Sequence, residues 1–434
     1  MSKLQKYDSY KDSGIEWLGE IPEEWEVEKL KYNANIFSGN SISDHKKSNY
    51  EFIIEESFAY ISTKDLDIND SSINYDNGLR IPKTNNDFKV ANKNSTLLCI
   101  EGGSAGRKIS FTNQNICFVN KLACISSIKN NDSKYIYYLI KSSIFKSQFN
   151  LSMNGLIGGV SLSILKNFDL TFPPKEEQIK IASYLDTKTE QLDKAIKQKE
   201  QLIELLKERR QILINEAVTK GIDKTVTMKD SEVGWIGEIP ESWEIVPGFT
   251  VYKENKTKNT GMKDDRVLSL SYGKIVVKPK EKLTGLVPES FETYQIVKPR
   301  DIIIRCMDLQ NDQTSLRTAI SINDGIITSA YLNLNVINTF NSEYLHYYLH
   351  SLDITKVLYK FGSGLRQNLS YEDFKRLSIA QPPKQEQQQI VDFIRNQTSK
   401  IDNAIDLQQK PIDKLKEYKN TLIDSVVTGK VRVA

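Results

Sequence analysis

Asp12-Ser13-Gly14-Ile15-Glu16-Trp17-Leu18-Gly19-Glu20-Ile21-Pro22-Glu23-Glu24-Trp25-Glu26 returns later in the chain as Asp230-Ser231-Glu232-Val233-Gly234-Trp235-Ile236-Gly237-Glu238-Ile239-Pro240-Glu241-Ser242-Trp243-Glu244, displaced by 235 − 17 = 218 positions. All four tryptophans lie in these two copies. A second pair, Phe172-Pro173-Pro174-Lys175-Glu176-Glu177-Gln178 and Gln381-Pro382-Pro383-Lys384-Gln385-Glu386-Gln387, is displaced by 382 − 173 = 209. Each half opens and closes on the same words, and the text between differs. A solenoid needs at least about three stacked repeats for a continuous core, so two copies read as a tandem duplication of one scaffold carrying two unlike modules.

Behind each Pro-Pro pair the sequence turns helical: prolines suit a helix start, acids follow in the first turn, and Lys, Glu, Gln, Leu and Ile dominate. The first seam runs Leu185, Thr189, Leu192, Ile196, Lys199, Ile203, Leu206, Arg210, Leu213 and Ala217, alternating steps of four and three as in a coiled coil. Adding 209 gives Ile394, Thr398, Ile401, Ile405, Gln408, Ile412, Leu415, Lys419, Leu422 and Val426, so even the polar interruptions recur. Polar groups in a seam cost stability and fix register, so their recurrence predicts that the two helices pack on each other. At about 1.5 Å per residue, a helix over 175–219 would span roughly 68 Å. Pro411, where the first copy has Leu202, predicts a bend or two shorter helices, because proline removes a backbone bond and clashes with the preceding turn.

The chain's 434 residues, 39% of them hydrophobic, can bury about two to four domain cores. No apolar run approaches the roughly 18–20 residues of a membrane helix, and the polar start lacks the apolar stretch of a signal peptide. Cys99, Cys117, Cys124 and Cys306 form no CxxC pair, and only His45, His346 and His350 occur, so zinc and disulfide frameworks are not expected. Buried structural thiols in a reducing cytoplasm are the expectation. The net charge of +3 neither demands nor excludes a polyanionic partner.

The middles, roughly 27–171 and 245–380, read as compact α+β domains. Short β-rich runs at 95–100, 115–127, 301–305 and 326–336 are followed by helical segments over 135–149 and 344–359. Their order is shared and their identity is low. In both, an apolar strand leads into a polar loop and a basic residue, Arg107 or Arg317, before the next strand.

Loops that mix Arg or Lys with Asn, Gln, Ser and Gly suit nucleic acid, since the cations meet guanine edges or phosphates and the amides meet adenine edges. The candidates in the first domain are Lys64, Ser104, Arg107, Lys108, Asn120, Lys121 and Asn154. In the second they are Tyr272, Lys274, Arg305, Gln310, Asn311, Gln313, Arg317, Arg366, Gln367 and Asn368. Any one of these loops alone reads as a solvated turn; the matched placement in both halves carries the idea.

Catalytic motifs are missing from the sequence. The segment after Gly102 fails GxxxxGK[ST] because position 107 is arginine, no GxGxxG follows a strand, and no HExxH or Asn/Asp-Pro-Pro tetrapeptide of the adenine-methyltransferase kind occurs. Asp186-Thr187-Lys188 sits on the coiled-coil helix, where alternating charge reads as a solvated face rather than a nuclease motif. A non-catalytic chain without a metal or cofactor of its own is expected.

The paired segments WLGEIPEEW and WIGEIPESW, the PPKEEQ and PPKQEQ segments and the long helices behind them closely resemble the specificity (S) subunit of type I restriction-modification systems, over essentially the whole chain. The resemblance implies an α+β fold in which two globular target recognition domains are separated by two long helices in an antiparallel coiled coil with pseudo-twofold symmetry. The segments would be a first recognition domain over 1–172 with its repeat at 10–26, a conserved helix over 173–220, a second domain over 221–381 with its repeat at 228–244, and a helix over 382–434. It further implies an asymmetric, bipartite double-stranded DNA target, two methyltransferase (M) subunits that use S-adenosylmethionine, and restriction (R) subunits that use ATP and Mg²⁺. The alternatives are a non-DNA coiled-coil scaffold with two protein-binding domains and, more weakly, an RNA-binding protein.

Overall fold

The structure, a computed structural model, describes residues 5–16, 18–51, 56–128, 131–153, 158–279, 290–307, 309, 316–337, 340–361 and 368–433. Seven helices occur among them: α1 (Ser133–Lys141), α2 (Ser143–Leu151), α3 (Leu162–Leu165), α4 (Lys175–Lys220), α5 (Ser342–Ile354), α6 (Tyr371–Phe374) and α7 (Lys384–Val427). The chain divides into two compact units, Met1–Glu200 with Lys410–Ala434, and Gln201–Gln409. The division falls inside α4 and α7, so each unit owns one half of each long helix.

In the first unit the repeated opening forms a hairpin, Tyr10–Asp12 against Glu20–Pro22, and Glu26–Lys29 pairs antiparallel with Asp169–Phe172. A four-stranded antiparallel sheet follows the order Ala34–Ser38, Leu122–Ser127, Thr96–Cys99, Ile109–Phe111. A second sheet runs Arg80–Pro82, Ser57–Ile61, Ile116–Phe118, Val90–Ala91, with the middle pair parallel. The second unit repeats this plan. Met228–Asp230 pairs with Glu238–Pro240, Glu244–Pro247 with Ser378–Gln381, and the sheet order is Tyr252–Glu254, Leu332–Val336, Ile302–Ile304, Thr318–Ile320. Its outer strands separate into two antiparallel pairs, Leu268–Ser271 with Lys274–Val277 and Gln295–Val297 with Gly325–Ile327, joined by a parallel bridge from Val267 to Ile326.

The repeated words are structural struts. Gln178, almost fully buried, donates from Nε2 to the carbonyl of Pro173 at 2.9 Å and accepts the amide of Asp132, the residue that caps α1. Gln387 does the same with Pro382 at 2.9 Å and with Asn341, the cap of α5. Tyr135 donates to the carbonyl of Thr171 and Tyr344 to that of Ala380, 209 positions on. Each of these buried side chains satisfies backbone groups that would otherwise be stranded in the core, at about 1–3 kcal/mol apiece. Gly429 presses on Pro22 and Trp25, and Gly221 on Pro240 and Trp243. Both glycines have positive φ, 73° and 76°, so side-chain-free backbone in the left-handed region ends each long helix against a buried tryptophan.

Within each unit the halves of α4 and α7 run antiparallel. In the first, Lys419 meets Asp193 at 2.6 Å and Lys416 meets Glu200 at 2.9 Å; in the second, Arg210 meets Asp402 at 3.6 Å, the counterpart of the Lys419 pair. Leu185, Ile196, Ile203, Ile394, Ile401, Ile412 and Leu422 are buried, while Leu192, Leu206, Leu213, Ile405 and Leu415 are half-buried at the seam's edge. Thr189 and Thr398 are both buried, and Tyr138 shares a hydrogen bond with Thr189 at 3.1 Å.

Three details depart from the expectations above. Helix α7 runs for 44 residues without interruption through Pro411, so there are not two shorter helices; the lost backbone bond is absorbed by a helix held along its buried seam. The helical stretch expected over 135–149 is two helices, because Ser142 ends α1 in an extended conformation and caps α2 through the amide of Phe145. In the second unit α5 ends at Ile354, and a separate 3-10 turn, Leu358–Lys360, follows.

Candidate nucleic-acid interface

Strand direction gathers the first unit's candidates at one end. Ile61 and Phe118 finish parallel neighbours, so the short turn Thr63–Asp65 and the residues after Phe118 emerge side by side. Cys99 pairs with Leu122, which places the Gly102–Lys108 loop beside Asn120 and Lys121. Two bonds lock the arrangement: Lys108 Nζ donates to the carbonyl of Thr63 at 2.7 Å, and the amide of Ile100 donates to the carbonyl of Lys121 at 3.0 Å. Gly106, with φ 71°, lets the loop turn where a Cβ would strike the Phe149 ring at 2.6 Å. Lys64, Arg107, Asn120 and Lys121 are exposed, Ser104 and Lys108 half-buried, and Lys121 lies 3.8 Å from Glu101.

The same end holds two residues that sequence reasoning passed over. Lys89 donates from its amide to Asn40 Oδ1 at 2.9 Å and from Nζ to the carbonyl of Ser38 at 3.1 Å, next to the close approach of Gly39 to Phe118. No motif marks them; only the sheet order brings Lys89 beside Phe118.

The second unit builds its end the same way. The two-residue turn Tyr272–Gly273 joins Leu268–Ser271 to Lys274–Val277, and the amide of Gly273 donates to the carbonyl of Leu316 at 3.2 Å. The amide of Leu369 donates to the carbonyl of Cys306 at 2.9 Å, which seats Asn368 beside the loop that begins at Arg305. Tyr272, Lys274 and Asn368 are exposed and Arg305 is half-buried. Asn154, Gln310, Asn311, Gln313, Arg366 and Gln367 lie outside the described residues.

Arg317 is a correction. Its side chain is buried, 1% exposed, and points into the domain rather than out of it. Nη1 donates to the carbonyls of Met307 at 2.8 Å and Arg305 at 3.3 Å, Nε donates to the Tyr359 hydroxyl at 3.3 Å, and the guanidinium lies over the Tyr359 ring. Its amide donates to the buried Asp353 at the end of α5. Arg317 therefore latches the loop onto α5, and a base edge has no access to it.

The remaining titratable groups are structural. All four cysteines are free and buried, and burial pushes Cys117, Cys124 and Cys306 up to about 12, so they stay neutral thiols. His346 and His350, on successive turns of α5 with rings 6.0 Å apart, are pushed down to about 4, first by burial. Among the described residues no group of three or more His, Cys, Asp or Glu is placed to hold a metal ion, and no helix is long and apolar enough to cross a membrane.

Two like frames, each ending in an exposed polar and cationic loop cluster of different sequence, define a duplicated recognition protein. Known proteins agree. The family described as type I restriction modification DNA specificity domain matches twice, over residues 22–205 and 228–417, and the chain belongs to that family. It is similar to the specificity subunit of type I restriction enzyme MjaVIII from Methanocaldococcus jannaschii, 25% identical over 95% of this chain and 94% of the relative. A putative type I MjaX specificity subunit of the same organism is 23% identical over 99% and 98%. A solved chain from work on complex assembly and conformational transition of the type I restriction-modification system covers 94% of this chain and 98% of its own length, with a TM-score of 0.67 at 14% identity, a likeness of fold.

Proposed function

We propose that this chain is the DNA-recognition subunit of a type I restriction-modification complex and reads an asymmetric, bipartite duplex target, one half-site per domain. It is not itself an enzyme in this reading; it directs methylation or cleavage by partner subunits. The observation that carries the proposal is the contrast between the struts and the loops. Gln178 and Gln387, Tyr135 and Tyr344, and Gly429 and Gly221 make matching contacts, while the reading ends offer different chemistry: Arg107, Lys64 and Lys121 in one unit, Tyr272, Lys274 and Asn368 in the other. A frame kept under changing loops is what two readers of different sequences require.

Two methyltransferase subunits using S-adenosylmethionine, and restriction subunits using ATP and Mg²⁺, complete the proposed complex in the cytoplasm; none of these cofactors is assigned to this chain. The test is a methylated-base map of host DNA with and without the gene. One split motif should vanish on deletion. Exchange of residues 27–171 for those of a relative should change one half of the motif and leave the other. An unchanged map, or a change in both halves, would refute the proposal.

A further inference from the structure

The turn that joins Leu268–Ser271 to Lys274–Val277 breaks a rule of hairpin chemistry. Ser271 and Lys274 are partners, leaving Tyr272 and Gly273 as a two-residue loop with φ 46° and 74°. Positive φ at both central positions is the type I′ pattern, which calls for Asn-Gly, Asp-Gly or Gly-Gly. Gly273 satisfies it, and a Cβ there would press on Leu316. Tyrosine at the first position is strained, because its Cβ crowds the backbone in the left-handed region. The ring gains nothing from the fold in return, since Tyr272 is 80% exposed, the most exposed large aromatic of the second unit. Local strain combined with an unpacked aromatic ring marks a residue held for contact with something outside the chain.

Position says what that is. The corresponding strands of the first unit, Ser57–Ile61 and Arg80–Pro82, are joined through Thr63–Asp65, which carries Lys64 to the reading end and is tied to Lys108 through the carbonyl of Thr63. Both connections bond next to the unit's basic residue: Lys108, just after Arg107, donates to the carbonyl of Thr63, and Gly273 donates to that of Leu316, just before Arg317. Lys274, exposed, follows the turn directly and adds a positive charge, and the amide of Arg305 donates to the carbonyl of Arg317, the residue after Leu316.

The geometry points to Tyr272 as a stacking residue: its ring packs on the face of a base at a locally unstacked step of the half-site read by the second domain. A narrow two-residue tip carries a single flat ring, the shape of a wedge that enters a duplex at one base step. Stacking is sequence-tolerant by itself, so the ring selects for ease of unstacking, with pyrimidine–purine steps favoured, while neighbouring polar groups read edges. This inference rests on the DNA-recognition reading above.

The test uses the full chain assembled with its methyltransferase partner and a duplex carrying the methylation-mapped target, with 2-aminopurine placed in turn at each position of both half-sites. Apart from the methylated positions, where the methyltransferase extrudes its target base, the wild-type complex should change the 2-aminopurine fluorescence at one step of one half-site. Tyr272→Asn, which restores the preferred turn residue, should keep or raise the thermal midpoint, abolish that signal and weaken binding about 5- to 150-fold. Tyr272→Phe, which keeps the ring, should behave as wild type. Wild-type affinity and signal in the Asn variant would overturn the stacking role and leave DNA recognition intact. An equal loss in the Phe variant would do the same by assigning the effect to the hydroxyl, as would weakened binding in the Asn variant when no step gives a signal in the wild type. Failure of the wild-type complex to prefer the mapped duplex over a scrambled one would overturn both.

Discussion

Replacing Arg317 with methionine should unfold a domain rather than blur a DNA sequence. The side chain, itself buried, donates to the carbonyls of Met307 and Arg305 and to the Tyr359 hydroxyl. Methionine fills much of the volume and satisfies none of these acceptors. A hydrogen bond from a charged donor contributes about 1.5–3 kcal/mol, and breaking a buried charged cluster costs about 3–5 kcal/mol in total, less than the sum because the loop relaxes. For a unit of this size that is a fall of roughly 6–20 °C in the thermal midpoint. Scanning calorimetry of the purified chain reads the midpoint, and hydrogen exchange over 302–320 locates the loss in the second unit. Arg317→Lys, which keeps a charge and a single donor nitrogen, should fall between. An unchanged midpoint, combined with loss of reading at one half-site, would refute the latch and restore Arg317 to the DNA surface.

Arg107 is the contrast: exposed, one residue before Lys108, whose strand register matches that of Arg317, Arg107→Met should move stability by no more than about 0.5 kcal/mol while lowering the salt dependence of DNA binding by about one unit of slope, measured by titration at several salt concentrations. Gln387→Leu should destabilise by about 2–4 kcal/mol, because it orphans the buried Pro382 carbonyl and the Asn341 amide together, and urea denaturation will read it. His346 and His350 are neutral when folded, near 4 against an unfolded value of about 6.5, so their contribution is complete above pH 6.5 and is lost as pH falls toward 4. At pH 5 each should cost about 1–2 kcal/mol, and a double Gln variant should flatten that part of the stability–pH curve. Glu232 holds the left-handed position, φ 59°, that Gly14 fills in the first copy at 72°; Glu232→Gly should therefore leave stability unchanged or raise it by up to about 1 kcal/mol, checked by its denaturation midpoint.

The scaffold was legible because duplication supplied its own control. The seam from Leu185 to Leu213 and its copy from Ile394 to Leu422 repeat at helical spacing, and periodicity reports burial directly. What Gln178 and Gln387 do was not legible: a glutamine in a charged segment looks like solvent-facing helix, and only the fold shows its amide buried between a proline carbonyl and a helix cap. Arg317 misled for the related reason that polarity was taken for exposure, when its partners Asp353 and Tyr359 lie 36 and 42 residues further along and are invisible to local pattern. The loop cluster of the first unit was legible in composition, as Lys64, Arg107 and Lys121, but its assembly depends on a parallel pair and a crossover that no local signal encodes. Lys89 carried no signal at all.

One pair of neighbouring strands bears on how such proteins acquire new targets. Between Ile61 and Arg80 the connection holds 79 − 61 = 18 residues; between Ser271 and Lys274, in the corresponding place, it holds 273 − 271 = 2. Closure entropy grows only with the logarithm of length, so a ninefold difference amounts to about 2 kcal/mol, within what one well-packed strut returns. Insertions and deletions at this junction therefore leave the frame standing, and a lineage can lengthen, shorten or replace the segment there in a single event without passing through an unfolded ancestor.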